Sequence, residues 1–92
     1  MEYLDLSSNQ LTSDIPPNIG DLNDLAFLTL DSNVLSGAVP NELMKLTNLQ
    51  RLKLEANDLT GTIPAGVCTL TTLSTIETDC EELECGCSQC AC

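Results

Sequence analysis

Histidine and tryptophan are absent from the sequence, and three Lys and Arg residues stand against fourteen Asp and Glu. Histidine is the side chain that most often performs general acid–base catalysis near neutral pH. The serines and threonines lie in repeated turn segments without a plausible base nearby, and no glycine-rich loop suited to a phosphate is present. We therefore expect a non-catalytic protein that needs no cofactor.

The shortage of positive charge limits the partners. The net charge is -11, which repels nucleic acid backbones and anionic lipid headgroups. No apolar run approaches the roughly twenty residues that cross a bilayer, and the first ten residues lack the features of a secretory signal. We expect neither a nucleic acid partner nor direct membrane insertion by this segment.

Cysteine, by contrast, is abundant for a chain of 92 residues, with six copies. A single small domain buries limited surface, so cross-links are a common source of its stability. An even number of cysteines in such a domain favours an oxidising compartment. The sequence predicts an extracellular or cell-surface location, with the signal upstream of this chain.

A repeat of twenty-four residues dominates the chain. The repeated positions are Leu4, Leu28 and Leu52; Leu6, Leu30 and Leu54; Asn9, Asn33 and Asn57; and Pro16, Pro40 and Pro64. Around the leucines, apolar and polar residues alternate as in a half-buried strand, and the asparagine can satisfy backbone groups where the strand ends. No copy can bury its own leucines, so neighbouring copies must stack, and the asparagines would then form a hydrogen-bonded ladder.

The pattern "LxxLxLxxNxLxGxIPxxIGxLxxL" resembles the plant-type leucine-rich repeat of receptor-like ectodomains and secreted inhibitor-like proteins. Ser13 departs from it, because glycine is usual there. The resemblance implies an α/β solenoid. The expected solenoid is a right-handed superhelix with a parallel concave β-sheet, short second strands, helical or 3₁₀ return segments and an irregular, disulfide-rich C-terminal cap. It also implies recognition of proteins, peptides or glycans across the concave face.

Two segments are expected: residues 1–78 hold about three repeats and a partial fourth, and residues 79–92 form the cap. Met1 already falls in the column of Leu25, Leu49 and Leu73. An uncovered first coil would expose a free strand edge and an apolar face. We therefore expect this chain to be the C-terminal part of a longer extracellular or receptor-like protein, with further repeats before it.

The cysteine-rich end, "CGCSQCAC", is interpreted as a clasp over the last coil. Cys68 and Cys80 fall in adjacent coils. Because stacked coils lie about 4.8 Å apart, these two cysteines are expected to form one disulfide. Two further bridges are expected among Cys85, Cys87, Cys90 and Cys92. The segment resembles the cysteine-rich caps of extracellular leucine-rich repeats. An alternative is a thiolate site for Zn²⁺ or Cu⁺, since C-x-C-x2-C-x-C supplies four soft ligands.

Residues that point outward from the strands form the candidate ligand-binding face. They include both aromatic residues and two of the three cations, which are side chains that often dominate binding energy. The candidate residues are Tyr3, Asp5, Phe27, Thr29, Asp31, Arg51, Lys53 and Glu55. The alternative function is a structural spacer or capping segment of a longer solenoid whose ligand lies elsewhere.

Overall fold

A computed structural model of the chain describes residues 3–79 and 83–91. Its strands are β1 (Tyr3–Asp5), β2 (Phe27–Thr29), β3 (Ser36–Gly37), β4 (Arg51–Lys53), β5 (Asp58–Leu59), β6 (Gly61–Thr62), β7 (Thr75–Glu77), β8 (Leu83–Glu84) and β9 (Cys90–Ala91). The return segments are two 3₁₀ helices, Pro17–Asp21 and Asn41–Lys45, and one α-helical turn, α1 (Ala65–Cys68). No helix within these ranges is long and apolar enough to span a bilayer.

The main sheet contains one strand from each coil, in the order β1-β2-β4-β7-β9. All its neighbouring strands are parallel, and Leu4 lies opposite Leu28, Leu28 opposite Leu52, and Leu52 opposite Ile76. This register follows the twenty-four-residue repeat. The expected solenoid with a parallel sheet, short second strands and helical or 3₁₀ return segments is confirmed.

The core lies between the main sheet and the return segments. Leu43, Leu46 and Leu49 line one side of it and are fully buried, as their spacing predicts. On the sheet side, Leu28 and Leu52 are equally buried. Each fully buried leucine contributes about 1.5–3 kcal/mol relative to an exposed one. Stability therefore arises from contacts between coils.

The asparagine column joins consecutive coils through backbone groups. The Asn33 side-chain amide donates to the carbonyl oxygens of Leu30 in its own coil (3.0 Å) and Leu6 in the preceding coil (2.9 Å), and its Oδ1 accepts from the Leu11 amide (3.2 Å). Asn57 repeats these bonds one coil later. The side chains of Asn33 and Asn57 thus each connect two consecutive coils at the point where strand pairing ends.

Left-handed backbone conformations recur at the same repeat positions. Gly37 and Gly61 have φ of 78° and 87°, and Ser13, the equivalent residue of the first coil, has φ of 66°. Glycine adopts this region freely, whereas a Cβ atom makes it unfavourable. Ser13 therefore keeps the geometry of the repeat at an energetic cost.

Replacing Ser13 with glycine should raise the free energy of unfolding by up to about 1 kcal/mol. The left-handed conformation costs a non-glycine residue about 1–2 kcal/mol, and the greater freedom of glycine in the unfolded chain offsets part of the gain. Urea unfolding followed by circular dichroism would measure the change. Ser36→Gly is the matched control, since Ser36 lies in β3 without a positive φ, and it should be destabilising. A destabilised Ser13→Gly variant would contradict this explanation.

The C-terminal tail extends both sheets. Strand β8 pairs with β6, with Leu83 opposite Gly61, and β9 pairs with β7, with Cys90 opposite Ile76. Leu83 is buried and belongs to the core. The segment that forms these two strands lacks the leucine pattern of the repeat, so the sequence does not predict them.

The expected Cys68–Cys80 disulfide is wrong: Cys68 is bonded to Cys87, with a Cα–Cα distance of 5.3 Å. A second disulfide joins Cys85 to Cys90. The tail forms a shortened coil, so Cys87, just before β9, arrives beside α1, and Gln89 donates from Nε2 to the Cys68 carbonyl oxygen at 3.0 Å. Cys80 and Cys92 lie outside the described residues.

Candidate functional site

The outward residues of β1, β2 and β4 form a shallow hollow of about 260 Å³ on the sheet face. Alternation along each three-residue strand directs its central residue into the core and its first and third residues outward. Because the strands are in register, equivalent residues of successive coils become neighbours. The hollow is lined by Tyr3, Asp5, Ser7, Phe27, Thr29, Asp31, Arg51 and Lys53.

The aromatic part of this face is the pair formed by Tyr3 and Phe27. They lie opposite each other on β1 and β2, with ring centroids 5.7 Å apart and an interplanar angle of 35°. Such pairs contribute about 0.5–1.5 kcal/mol beyond their burial. Tyr3 nevertheless remains 55% exposed, so much of its surface is available to a ligand.

Arg51 and Lys53 on β4 are both held by acidic side chains. Arg51 Nη2 lies 2.6 Å from Glu77 Oε1, while Lys53 Nζ lies 3.6 Å from Glu77 Oε2 and 3.8 Å from Glu55 Oε2. The hydrogen bond from Arg51 lowers the pKa of Glu77, and the negative charge of Glu55 raises the pKa of Lys53. The two cations thus form an ion-pair network across β4 and β7.

Asp5 is fixed at the other side of the hollow. Its Oδ1 accepts hydrogen bonds from the Ser7 hydroxyl, the Ser7 amide and the Thr29 hydroxyl, and these bonds lower the pKa of Asp5. Thr29 was expected on the exposed face, but only 7% of its surface is exposed. It sits between Asp5 and the larger Lys53 side chain in the column, and its hydroxyl group donates to Asp5 at 2.8 Å.

Asp31 and Glu55 follow the strands in the next outward column. Burial raises the pKa of Glu55, despite the nearby ammonium group of Lys53. Asp31 Oδ1 and Glu55 Oε1 are buried without a hydrogen-bond partner among the described residues. Removing a carboxylate oxygen from water without replacing its hydrogen bonds is unfavourable for the charged form. The charged form of Glu55 is therefore disfavoured at this position of the outward face.

Glu55→Gln should stabilise the protein at pH 7, by about 0.5 kcal/mol or less, since the residue is partly exposed. The raised pKa of Glu55 means that the folded state favours its protonated form, so wild-type stability falls as pH rises from the ordinary value of 4.5 towards the folded-state pKa. The difference between the variant and the wild type should disappear below pH 4. Thermal unfolding from pH 3 to 8 would measure it.

Glu77→Gln is the control with the opposite sign. The pKa of Glu77 is lowered in the folded state, so its contribution to stability is present above pH 4.5 and is lost as pH falls through the folded-state pKa. This variant should be less stable than the wild type at pH 7. Equal effects of the two substitutions at neutral pH would contradict the assigned electrostatics.

Seven of the eight candidate residues line the hollow, and Glu55 lies beside it in contact with Lys53. Two residues outside the candidate set also participate: Ser7 holds Asp5, and Glu77 pairs with both cations. Both occupy the same outward columns as the candidates. That position in the repeat is the sequence signal that identifies them.

A family model described as leucine rich repeat matches residues 1–59. The chain belongs to the leucine-rich repeat family. The match agrees with the structure, which has the repeat columns, the parallel sheet and the asparagine hydrogen bonds described above.

Solved structures of plant receptors resemble most or all of this leucine-rich repeat chain. The BIR3–SERK2 complex from Arabidopsis thaliana contains a chain that is 37% identical, with a TM-score of 0.76. The match covers 100% of this chain and 47% of that one. The ectodomain of the Arabidopsis thaliana receptor kinase SOBIR1 is 35% identical over 92% of this chain and 46% of its own, with a TM-score of 0.81.

A third similar structure is the plant peptide hormone receptor RGFR1 in complex with RGF2. It is 34% identical and has a TM-score of 0.84. The match covers 98% of this chain and 16% of the receptor, so the leucine-rich repeat chain spans less than half of each of these three ectodomains. A search of curated protein sequences found no significant match.

Proposed function

We propose that this leucine-rich repeat chain is a non-catalytic recognition module that binds a protein or peptide on the concave face of its main sheet. The observation that carries the proposal is the hollow, in which an aromatic pair, exposed at Tyr3 and half-buried at Phe27, lies beside an ordered network of charged side chains. Aromatic residues and arginine are the most common sources of binding energy at interfaces. The ordered network reduces the entropy lost on binding.

Similar structures provide support of a second kind. RGFR1 is described in complex with the peptide RGF2, and BIR3 in complex with the protein SERK2. We infer an equivalent use of this chain at the cell surface or outside the cell, as part of a longer solenoid with further repeats before residue 1. A glycan ligand is also compatible with an aromatic and acidic face, although these two neighbours are described with peptide or protein partners.

The charge of the concave face limits the chemical class of ligand that it can bind. Its cations, Arg51 and Lys53, are already paired with acidic side chains. The acidic residues of the strand columns are Asp5, Asp31, Glu55, Glu77 and Asp79. With a net charge of -11, the chain attracts positively charged partners over long distances. We therefore expect a ligand segment with Lys or Arg beside an apolar residue.

Selection from a library of linear twelve-residue peptides would test the proposal. Bound peptides should be enriched in Lys and Arg, and Phe27→Ala or Asp5→Ala should weaken their binding by about tenfold or more, because the first removes an aromatic contact and the second a negative charge of the face. Met44→Ala and Asp21→Ala are matched controls. They remove an exposed apolar residue and an exposed acidic residue from the return segments, on the opposite side of the coil, so they should leave binding unchanged.

The outcomes separate recognition from the spacer function. Equal losses in both pairs of variants would indicate nonspecific binding, and a failure to select any peptide would favour a structural spacer. Thermal unfolding of each variant must accompany the assay. A concave-face variant that loses binding with an unchanged melting temperature supports the proposed function.

A further inference from the structure

Four sulfur atoms are gathered in the C-terminal cap. The Sγ atoms of Cys85, Cys87 and Cys90 all lie within 4.8 Å of one another, and Cys68 is bonded to Cys87. The two disulfides of the described cap therefore lie against each other. All four cysteines are half-buried, so their sulfur atoms are shielded from water without being sealed from small solutes.

The backbone also holds these cysteines in place. Strand β9 contains Cys90 and pairs with β7, and β8, next to Cys85, pairs with β6. Gln89 binds the carbonyl oxygen of Cys68, and the Cys90 amide donates to the Cys87 carbonyl oxygen. These bonds do not depend on the S–S bonds. Reduction would therefore leave four thiols close together.

We propose that the reduced cap binds one Zn²⁺ ion through the thiolates of Cys68, Cys85, Cys87 and Cys90. A tetrahedral site with Zn–S bonds of about 2.3 Å places its sulfurs about 3.8 Å apart. The sulfurs of Cys85, Cys87 and Cys90 already lie within 4.8 Å of one another, so after reduction the Cys85–Cys90 pair only has to separate from the bonding distance of about 2 Å to that spacing. Cys68 lies outside this group of three and joins it from its position beside Cys87. The metal then replaces the disulfides as the cross-link of the cap.

The local charge favours a cation. The last Lys or Arg in the sequence is Lys53, so no basic side chain follows it in the chain, whereas Glu84 lies immediately before Cys85. A net charge of -11 adds a long-range attraction for metal ions. Soft thiolate ligands select Zn²⁺ or Cu⁺ over Mg²⁺ and Ca²⁺.

The conversion requires a reductant. A dithiol gives two electrons and two protons to each S–S bond and closes to its own disulfide, so the two bonds become four thiols. Binding of Zn²⁺ then displaces the four thiol protons into the solvent. In the disulfide form the sulfurs are not thiolates, and the site does not bind the metal.

Cobalt titration of the full chain would test the site. The protein is reduced with a phosphine, which takes its oxygen from water and does not supply competing thiols, and Co²⁺ is added without oxygen. We expect about one Co²⁺ per chain, with the absorption of tetrahedral thiolate coordination, and its displacement by Zn²⁺. The oxidised chain is the control and should give no such absorption. Absence of binding to the reduced chain would overturn the proposal.

Substitutions identify the ligands. Cys80→Ser/Cys92→Ser retains only the four proposed ligands and should bind Co²⁺ as the unsubstituted chain does. Adding Cys68→Ser should lower the thiolate absorption by roughly one quarter, because one of four sulfur ligands is removed. Retention of the full absorption would overturn the assignment of Cys68.

Alkylation provides a second measurement that needs no substitution. In the reduced, Zn²⁺-loaded chain, Cys68, Cys85, Cys87 and Cys90 should be protected from alkylation, and Cys80 and Cys92 should react. Peptide mass spectrometry would locate the modified residues. Protection of Cys80 or Cys92, with reaction of any proposed ligand, would contradict the site.

Discussion

Replacing Leu52 with alanine is expected to lower the free energy of unfolding by about 3 to 5 kcal/mol, the range typical of a leucine removed from a well-packed core. Leu52 is 0% exposed and lies between Leu28 and Ile76 of the neighbouring coils. Truncation removes contacts with both coils and leaves a cavity that the flanking strands cannot fill. Since small domains have only about 5–15 kcal/mol of stability, this single change would unfold a substantial part of the population on mild heating.

Leu4→Ala is the matched control for this prediction. Leu4 occupies the same repeat column but is only partly buried, and its described partner strand is on one side. The loss at Leu4 should be roughly half of that at Leu52 or less, because less apolar surface is returned to water. Urea unfolding would measure both. Equal losses would mean that the burial of this column does not arise from stacking of coils.

Asn57→Ala should destabilise the protein by about 2 to 4 kcal/mol, since each buried polar group left without a partner costs about 1–3 kcal/mol. The substitution removes the acceptor of the Leu35 amide and the donor to the carbonyl oxygens of Leu30 and Leu54. The Leu35 amide and the Leu54 carbonyl oxygen lose this partner at the end of the strands, whereas the Leu30 carbonyl oxygen keeps the hydrogen bond from Asn33. Hydrogen exchange should show faster exchange of the Leu35 amide together with the lower global stability.

Asn9→Ala tests whether this cost depends on the neighbouring coil. Asn9 is exposed, and its side chain donates only to the carbonyl oxygens of Leu6 and Ser7, within its own coil. Exposed substitutions usually change stability by about 0.5 kcal/mol or less. An effect as large as that of Asn57→Ala would assign the asparagines a role within each turn rather than between coils.

The sequence alone could predict the sheet register and the asparagine positions, because both follow the same interval. Leu28 and Leu52 must lie side by side if coils of equal length stack, and the outward neighbours Phe27 and Arg51 then follow from alternation. The repeat therefore located most of the hollow as well as the core. This success depends on regularity: a one-residue slip would expose every leucine.

The cap could not be predicted in the same way. The final coil is shorter, since Cys90 lies opposite Ile76, so the repeat interval gives the wrong neighbour for Cys68. The position of Cys87 depends on the path of an irregular segment, for which composition gives no distance. The burial of Thr29 could not be predicted for a different reason. Alternation indicates which face a residue occupies, whereas its burial depends on the size of the side chains around it.

Methyl–methyl nuclear Overhauser effects would test the central claim, the parallel stacking of coils at an interval of twenty-four residues, most directly. Because neighbouring strands lie about 4.8 Å apart, stacking predicts strong effects between Leu28 and Leu52 and between Leu30 and Leu54. Strong effects joining Leu28 to Leu54 and Leu30 to Leu52 instead would indicate antiparallel pairing. That result, or the absence of any contact between these strands, would contradict the solenoid and the binding face that rests on it.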